Sequence, residues 1–125
     1  MNEILVLVVT YNRLVDLKIC VEALRNQSQK GIDILVVNNG SNDGTRDWLD
    51  LQDDITKIHQ ENLGGAGGFN VGMQYMLEHD YEWLVMMDDD GIADKDEIKN
   101  LLVSYPIVSG IYGGEVILNA LVAIE

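Results

Sequence analysis

Three consecutive aspartates, Asp88, Asp89 and Asp90, follow the apolar residues 83–87. Like charges at this spacing raise each other's pKa, so the cluster costs stability unless a cation or hydrogen-bond donors offset the repulsion. The alternate carboxylates Asp88 and Asp90 can turn toward one point, and oxygen ligands suit Mg²⁺ or Mn²⁺ better than Zn²⁺. A solvated acidic turn is the alternative. The position after a buried strand favours a metal that would bridge the phosphates of a nucleotide.

The composition limits the partners. The chain has 125 residues, with 8 Lys and Arg against 21 Asp and Glu, and a net charge of −13 argues against nucleic acid or anionic lipid. This length fits one domain with a modest core. Because no apolar run approaches the roughly 20 residues that span a bilayer and the N-terminus lacks a basic signal region, we expect a cytoplasmic protein without an integral membrane segment.

The cysteine and the histidines carry no predicted chemistry. Cys20 is the only cysteine and falls in an apolar helical pattern, so we predict a small buried side chain in a reducing compartment. His59 and His79 stand apart from any cysteine or second histidine at metal-ligand spacing. We therefore predict solvated or hydrogen-bonded histidines.

Aliphatic runs alternate with helical patterns along the chain. Residues 4–9 form an aliphatic run typical of a strand covered on both faces. A second buried strand is predicted at 32–37, a short third strand at 55–59 and a fourth at 82–87. Apolar residues at three- and four-residue spacing predict helices from residue 14 to about 27, up to residue 51, around 69–77 and within 93–102. The alternation predicts an α/β fold with a mostly parallel open sheet, flanked by helices and joined by right-handed crossovers.

Four unusual segments each come just after a predicted strand. They are TYNR (10–13), NNGSNDGT (38–45), ENLGGAGGFNVG (61–72) and DDD (88–90). In an open parallel sheet the carboxyl ends of the strands lie along one edge, where ligands bind. We therefore predict that all four segments line one crevice.

The glycine-rich segment departs from the common nucleotide-binding templates. Asn70 stands where a dinucleotide fingerprint has its third glycine, and Met73 stands where a P-loop has its lysine. Two interpretations stay open: close approach of the backbone to a flat or bulky ligand, and a flexible surface connection. The segment alone slightly favours the second.

The NNGSNDGT segment is ambiguous in the same way. Ser41, Asp43 and Thr45 are residues that tight turns and helix caps use. Asn38 and Asn39 lie nearest the strand end, where a side-chain amide can offer both a donor and an acceptor to the edge of a base. Base recognition by these two residues is a hypothesis at this point.

In this order the four segments resemble those of the family 2 glycosyltransferases. That family has the patterns T-[FY]-N-R, D-[DN]-G-S-x-D-G-T, N-x-G-G-x-G-G-x-N and D-x-D, and the match covers nearly all of residues 4–103. The sequences GGAGGFN and MDDD are most similar to those of bacterial galactofuranosyltransferases and rhamnosyltransferases. The resemblance implies a GT-A, Rossmann-like nucleotide-sugar-binding half that uses Mn²⁺ or Mg²⁺. It also implies inverting transfer from a UDP- or dTDP-sugar to a glycan or lipid-linked acceptor.

The resemblance also implies roles for individual residues. Asp88 and Asp90 hold the metal, and Asp89 contacts the ribose or the sugar. The other implied substrate-binding residues are Thr10, Tyr11 and Asn39 by the base, Arg13 near the pyrophosphate or base pocket, Asn62, Gly65 and Asn70 by the nucleotide or its ribose, and Asn12, Asn38 and Ser41 in the same two loops. Asn38 departs from the usual aspartate, and an amide cannot repeat the acceptor role of a carboxylate.

The general base is not assigned. In the family it is an Asp or Glu after the metal motif, in an acceptor-binding half, and Glu115 is the only acidic residue between Glu97 and Glu125. Gly113 and Gly114 match a family feature that precedes that half. We therefore expect residues 1–125 to form a single donor-binding domain that stops before the acceptor-binding half.

Two other classes of function stay open. In the first, the chain is a catalytically inactive nucleotide-binding module. In the second, it is a module that binds a partner, or a second copy of itself, through the apolar residues 116–124. For a full-length transferase we expect a peripheral position at the inner face of the membrane.

Overall fold

Strands and helices alternate along the chain. The computed structural model describes the backbone of residues 3–104, 111–112, 115–116 and 119–122, and the side chains of residues 3–103. The elements are β1 (Ile4–Thr10), α1 (Leu14–Arg25), β2 (Ile32–Asn39), α2 (Thr45–Asp50), β3 (Ile55–Gln60), α3 (Gly64–Glu78), β4 (Trp83–Asp88), α4 (Glu97–Ser104), β5 (Ile111–Tyr112), β6 (Glu115–Val116) and β7 (Asn119–Val122). The predicted α/β fold is confirmed.

The sheet has the strand order β3-β2-β1-β4-β7, and all four pairings are parallel. β5 and β6 form a separate antiparallel pair. From β1 the chain passes to β2 and β3 on one side and then crosses to β4 on the other, so the topological switch point lies between β1 and β4. Ligands of open α/β sheets bind at the carboxyl edge of such a point. Among the described residues, no helix combines the length and apolar character needed to cross a membrane.

The core has two layers, one on each face of the sheet. On β1, Val6 and Val8 pack in a buried cluster with residues of α1, α2 and α4. Leu5 and Leu7 face the other way and pack with Met76 of α3. Because helices cover both faces, every second residue need not be polar, which explains the continuous aliphatic run of β1.

All but the first three residues of the glycine-rich segment 61–72 belong to α3, which begins at Gly64, so the predicted glycine loop is wrong. Gly68 and Gly72 lie on the face of α3 that packs against β1. A Cβ added at Gly72 would lie 2.3 Å from Cδ2 of Leu7, and one added at Gly68 would lie 2.5 Å from Cγ1 of Val9. The close backbone approach that the sequence suggested is therefore made to the sheet.

All four predicted strands end one or two residues later than predicted, and two of these extensions bring site residues into the sheet. Asn38 and Asn39 belong to β2 because they pair with His59 and Gln60 of β3. Asp88 is likewise the last residue of β4, so the first aspartate of the motif has extended backbone. Asn38, Asn39 and Asp88 therefore belong to strands of the sheet, and strand pairing holds their backbone.

Cys20 is buried and both histidines are hydrogen-bonded, as predicted. Cys20 is buried on α1, its Sγ lies 3.5 Å from the carbonyl oxygen of Asp88, and burial raises its pKa to about 12. Such a thiol stays protonated and unreactive. A ring nitrogen of His59 lies 2.8 Å from Oδ1 of Asp50, and a ring nitrogen of His79 lies 2.7 Å from a backbone carbonyl oxygen.

The end of the chain carries predictions that the structure leaves untested. Gly113 and Gly114 lie outside the described residues, as does the side chain of Glu115. Residues 116–124 include part of β6 and all of β7, which pairs with β4, but their side chains also lie outside the described residues. Self-association through this segment stays a prediction.

The N-terminus of α1 is capped from a distant segment. Arg13 occupies the N-cap position without a side-chain cap, and Asp43 supplies one instead: the Leu14 N–H donates to its Oδ2 at 3.1 Å. Oδ1 of Asp43 accepts from the N–H of Thr45 at 3.2 Å and from its hydroxyl at 2.5 Å. One carboxylate thus satisfies donors at the starts of both α1 and α2.

The packing of α3 on β1 is tested by Gly72→Ala. A methyl group at residue 72 overlaps Leu7, and overpacking a core costs about 1–3 kcal/mol. Gly65→Ala is the control, because it brings a similar gain in helix propensity, up to about 1 kcal/mol, into open space. We expect urea denaturation to show that Gly72→Ala is less stable than Gly65→Ala by about 1–3 kcal/mol. Equal stabilities would contradict the close approach of helix and strand.

The cap at Asp43 predicts a pH-dependent contribution to stability. Asp43 is exposed, and the slight desolvation that acts to raise its pKa is outweighed by the hydrogen bonds from Thr45 and Leu14, so the pKa is lowered. Its stabilisation is therefore present above the unfolded-state pKa of about 3.9 and is lost as the pH falls through the folded-state value.

We expect Asp43→Ala to lower the free energy of unfolding by about 0.5–2 kcal/mol at neutral pH, as for other helix caps. In urea titrations this difference should shrink toward about pH 3. Asp53→Ala, which removes an exposed aspartate before β3, is the control and should cost less. A deficit for Asp43→Ala that stays constant over this pH range would contradict the role of the carboxylate.

Candidate functional site

A cleft of about 500 Å³ opens at the carboxyl edge of the sheet, at the switch point between β1 and β4. All four of the segments singled out in the sequence contribute to it, as predicted. The lining residues are Val9, Thr10, Tyr11, Arg13, Asn39, Asn62, Gly65, Asp88, Asp89 and Asp90. A volume of this size suits a nucleotide-sized ligand.

The three aspartates form a tight turn at the end of β4. The N–H of Gly91 donates to the carbonyl oxygen of Asp88 at 2.9 Å, which closes the turn. Asp88 and Asp90 are exposed, whereas the side chain of Asp89 is only 13% exposed. The turn therefore directs alternate carboxylates to solvent and the middle one inward.

Asp89 joins the ends of β1 and β4. Its Oδ2 accepts a hydrogen bond from the buried hydroxyl of Thr10 at 3.0 Å, and the Tyr11 backbone N–H also donates to its carboxylate. Burial raises the pKa of Asp89, and the opposing effects of Thr10 and Arg13 do not cancel this shift. The hydrogen bond between Thr10 and Asp89 thus links the ends of β1 and β4 across the switch point.

Arg13 offsets the repulsion that the sequence predicted. Its guanidinium NH1 lies 3.2 Å from Oδ2 of Asp90 and 3.9 Å from Oδ1 of Asp89. Among the described residues that line the cleft, Arg13 carries the only positive charge. Because its side chain is 52% exposed and Asp90 is also exposed, this ion pair is screened by water and can exchange for another ligand.

Asn12 and Ser41 lie beside the cleft and hold two loops together. The N–H of Asn12 donates to Oγ of Ser41 at 2.9 Å, and the N–H of Asn42 donates to Oδ1 of Asn12 at 2.7 Å. Asn12 has φ of 50°, a left-handed conformation that asparagine tolerates better than most residues. This clasp sets the direction of the chain between Tyr11 and Arg13.

Asn38 and Asn70 also lie outside the cleft. Asn38 is buried: its amide nitrogen lies 3.1 Å from Nδ1 of His59, and its Oδ1 accepts from the N–H of Ser41. Asn70 is exposed on α3. The structure therefore places Asn12, Asn38, Ser41 and Asn70 away from the lining and brings the other nine predicted site residues together.

Asn39 lines the back of the cleft, where both ends of its amide are engaged. Its Nδ2 donates to Oδ1 of Asn62 and to the carbonyl oxygen of Gly64. Its Oδ1 accepts from Nε2 of Gln60 and from the N–H of Leu63. The amide that the sequence assigned to a base is thus bound to the turn between β3 and α3.

The exposed carboxylates fit a hard divalent cation. Mg²⁺ is usually held by one or two carboxylates, with substrate phosphates and water as the remaining ligands. Asp88 and Asp90 supply two such carboxylates at the mouth of the cleft. Within residues 3–103, no group of three or more Asp, Glu, His or Cys side chains is arranged to hold a metal ion alone. The donor set therefore fits a cation that binds together with a phosphorylated ligand.

Two residues that shape the site, Val9 and Gln27, were not singled out in the sequence, and a third, Asp43, has a second role that the sequence did not indicate. Val9 lines the cleft although it looked like an ordinary buried strand residue. Asp43 was expected to cap its own helix and also caps α1, and Gln27 binds the segment after the aspartates through Oε1, which accepts from the Ile98 N–H at 3.1 Å. The Asp43 and Gln27 contacts join residues 29 and 71 positions apart, so no local pattern signals them.

Sequence relatives are found among bacterial glycosyltransferases. The chain is 33% identical over 105 residues to undecaprenyl-phosphate mannosyltransferase of Micrococcus luteus, covering 80% of this chain and 43% of that protein. It is 34% identical over 98 residues to galactofuranosyltransferase GlfT1 of Mycolicibacterium smegmatis, covering 76% of this chain and 32% of that protein. The chain thus spans less than half the length of these relatives.

The fold is shared with a solved glycosyltransferase. The mannosyltransferase PcManGT from Pyrobaculum calidifontis, in complex with GDP-Man and Mn²⁺, superposes with a TM-score of 0.70 at 21% identity, over 86% of this chain and 33% of that one. This likeness confirms the predicted fold class. The model of "Glycosyl transferase family 2" matches residues 5–104. Since that match covers most of the 125 residues, the chain belongs to glycosyl transferase family 2.

Proposed function

We propose that this chain is the donor-binding part of a glycosyltransferase and binds a nucleoside-diphosphate sugar together with Mn²⁺ or Mg²⁺. The observation that carries the proposal is the meeting of Asp88, Asp90 and Arg13 in one cleft at the switch point of the sheet. Two exposed carboxylates and one exchangeable guanidinium match the needs of a metal-bound diphosphate. Membership of the family supports the same conclusion.

Different cleft residues would bind different parts of the sugar donor. Asp88 and Asp90 would hold the cation, which when bound offsets the charge that grows on the leaving diphosphate. Arg13 is free to leave Asp90 for a phosphate, because guanidinium pairs with phosphate as readily as with carboxylate. Tyr11, 47% exposed beside them, offers an aromatic face on which a base can stack. Asp89 is held by Thr10 and keeps the turn in place.

The finer assignment is a UDP- or dTDP-sugar, with inverting transfer to a glycan or lipid-linked acceptor. It is supported by the similarity of the glycine-rich and aspartate segments to galactofuranosyltransferases. The similarity to one such relative, GlfT1, extends over 98 residues. We assign the acceptor and the general base to sequence outside the family match, in a full-length enzyme that works in the cytoplasm at the inner face of the membrane. We assign the D-x-D metal motif of this family to Asp88, Asp89 and Asp90.

Calorimetric titration of the chain with UDP, dTDP and GDP, with and without Mn²⁺, tests the donor site. We expect binding that requires Mn²⁺ and is strongest for UDP or dTDP. Asp88→Asn/Asp90→Asn should weaken it at least ~10-fold, since even the outer partners of metal ligands cost that much when removed.

The control is Asp53→Asn/Asp80→Asn, which changes the charge equally at two exposed positions outside the cleft and should bind like wild type. Folded wild-type protein that binds none of the three nucleotides, or binds them equally well without Asp88 and Asp90, would contradict the donor site. Strongest binding to GDP would overturn only the choice of base. Binding without sugar transfer or donor hydrolysis in a full-length form would favour the inactive nucleotide-binding module.

A further inference from the structure

The side chain of Gln27 joins the end of α1 to the segment that follows the three aspartates. Gln27 lies two residues after α1, and only 7% of it is exposed. Its Nε2 donates to the carbonyl oxygen of Ala23 at 3.2 Å and to that of Asp94 at 2.6 Å. Its Oε1 accepts the N–H of Ile98, the second residue of α4, at 3.1 Å. One buried amide therefore bonds backbone groups of α1 and backbone groups on both sides of the start of α4.

The orientation of this amide follows from its backbone partners. The Ile98 N–H can only donate, so the atom that it meets on Gln27 must be the oxygen. The Asp94 carbonyl oxygen can only accept, so the atom that it meets must be the nitrogen. A flipped amide would place its oxygen against two carbonyl oxygens and its nitrogen against an N–H. The three hydrogen bonds therefore define one orientation.

The chain between β4 and α4 depends on contacts of this kind. Residues 89–96 form neither a strand nor a helix, so no ladder of backbone hydrogen bonds holds them. At the start of this segment the N–H of Gly91 donates to the carbonyl oxygen of Asp88 and closes the aspartate turn. Ala93 is buried in the same core cluster as the apolar residues of α1. The direction in which the chain leaves the turn is thus set by packing on α1 and by Gln27.

α1 contacts this segment near both of its own ends. At the N-cap position, Arg13 lies 3.2 Å from Asp90, in an exposed ion pair that a phosphate can replace. Beyond the other end of α1, the N–H of Ser28 donates to the carbonyl oxygen of Lys95 at 2.8 Å. Neither Ser28 nor Gln27 lines the cleft, so a ligand in the cleft does not compete for their hydrogen bonds.

We propose that Gln27 is a positioning residue for the metal site: by holding residues 94–98 against α1, it fixes the placement of the aspartate turn that precedes them. This inference rests on the proposed function, because it concerns how the carboxylates of that donor site are held. Mg²⁺ demands near-ideal octahedral geometry, whereas Ca²⁺ accepts flexible geometry. Loss of the Gln27 hydrogen bonds is therefore more harmful to a site occupied by Mg²⁺ than to one occupied by Ca²⁺.

Gln27→Met tests the proposal through metal selectivity. Methionine has a similar length and removes all three side-chain hydrogen bonds. We expect calorimetry to show UDP binding about 10-fold weaker than wild type with Mg²⁺, as for other partners that support metal ligands, but within about 3-fold of wild type with Ca²⁺. Equal losses with both ions would contradict the positioning role.

Ile55→Val is the matched control for stability. It shortens a buried side chain of the same core cluster at the first residue of β3, at the opposite edge of the sheet from the aspartates. The variant should be less stable than wild type in urea, because it leaves a small cavity. Its ratio of Mg²⁺-supported to Ca²⁺-supported UDP affinity should equal that of wild type. A ratio that falls as far as in Gln27→Met would assign the effect to general loss of stability.

Amide hydrogen exchange without any ligand tests the contact itself. In Gln27→Met the N–H of Ile98 should exchange faster, and so should the N–H of Gly91, which closes the aspartate turn. In Ile55→Val, exchange at Gly91 should keep its wild-type rate. Faster exchange at Ile98 with no change at Gly91 would show that Gln27 stabilises only the start of α4, and would overturn the proposal.

A measurement on the wild type covers the case in which Gln27→Met does not fold. Coupling between two sites is reciprocal, so UDP with Mg²⁺ should slow exchange of the Gln27 side-chain amide and of the Ile98 N–H. Unchanged exchange at both groups after UDP has bound would contradict the proposal. If wild type binds no nucleotide, the proposed function fails, while exchange at Gly91 in Gln27→Met still decides whether Gln27 holds the aspartate turn.

Discussion

The burial of β1 is the constraint on which the site depends. This strand lies between β2 and β4 in the sheet and between two layers of helices, so neither its position nor its register can shift without exposing core. Its last residue, Thr10, is thereby fixed beside the end of β4. Glycines at 68 and 72 extend the same constraint to α3, since they let the helix rest directly on β1.

At the carboxyl edge, polar side chains fall into two groups. Buried ones such as Thr10 and Asn39 are hydrogen-bonded to protein, as burial of a polar group requires. Exposed ones, Asp88, Asp90 and Arg13, are paired weakly or face water. The first group holds the ends of four segments in place, and the second is available to a ligand. A motif residue therefore need not touch substrate in order to be necessary for its binding.

The sequence predicts the fold well because the strongest signals are local. The sequence locates β1 to β4 within two residues but does not predict β5, β6 or β7. The segments after β1 to β4 converge because parallel strands end at one edge. What the sequence cannot predict is hydrogen-bond partnership over distance. The protein partners of the Asn39 amide lie 21 to 25 residues away, and no local pattern indicates them. Likewise the glycines of α3 looked like a loop because their contact is with Leu7 and Val9, far along the chain.

The central claim is that a metal-bound nucleotide sits at the ends of β1 and β4. Paramagnetic broadening of backbone amide NMR signals by Mn²⁺, added in the presence of UDP, locates the ion directly. The account predicts the strongest broadening at Asp88 to Gly91 and at Tyr11 to Arg13, with little effect around Arg25 and Asp54 at the opposite edge of the sheet. Broadening centred at that opposite edge, or spread evenly over the acidic surface, would contradict it.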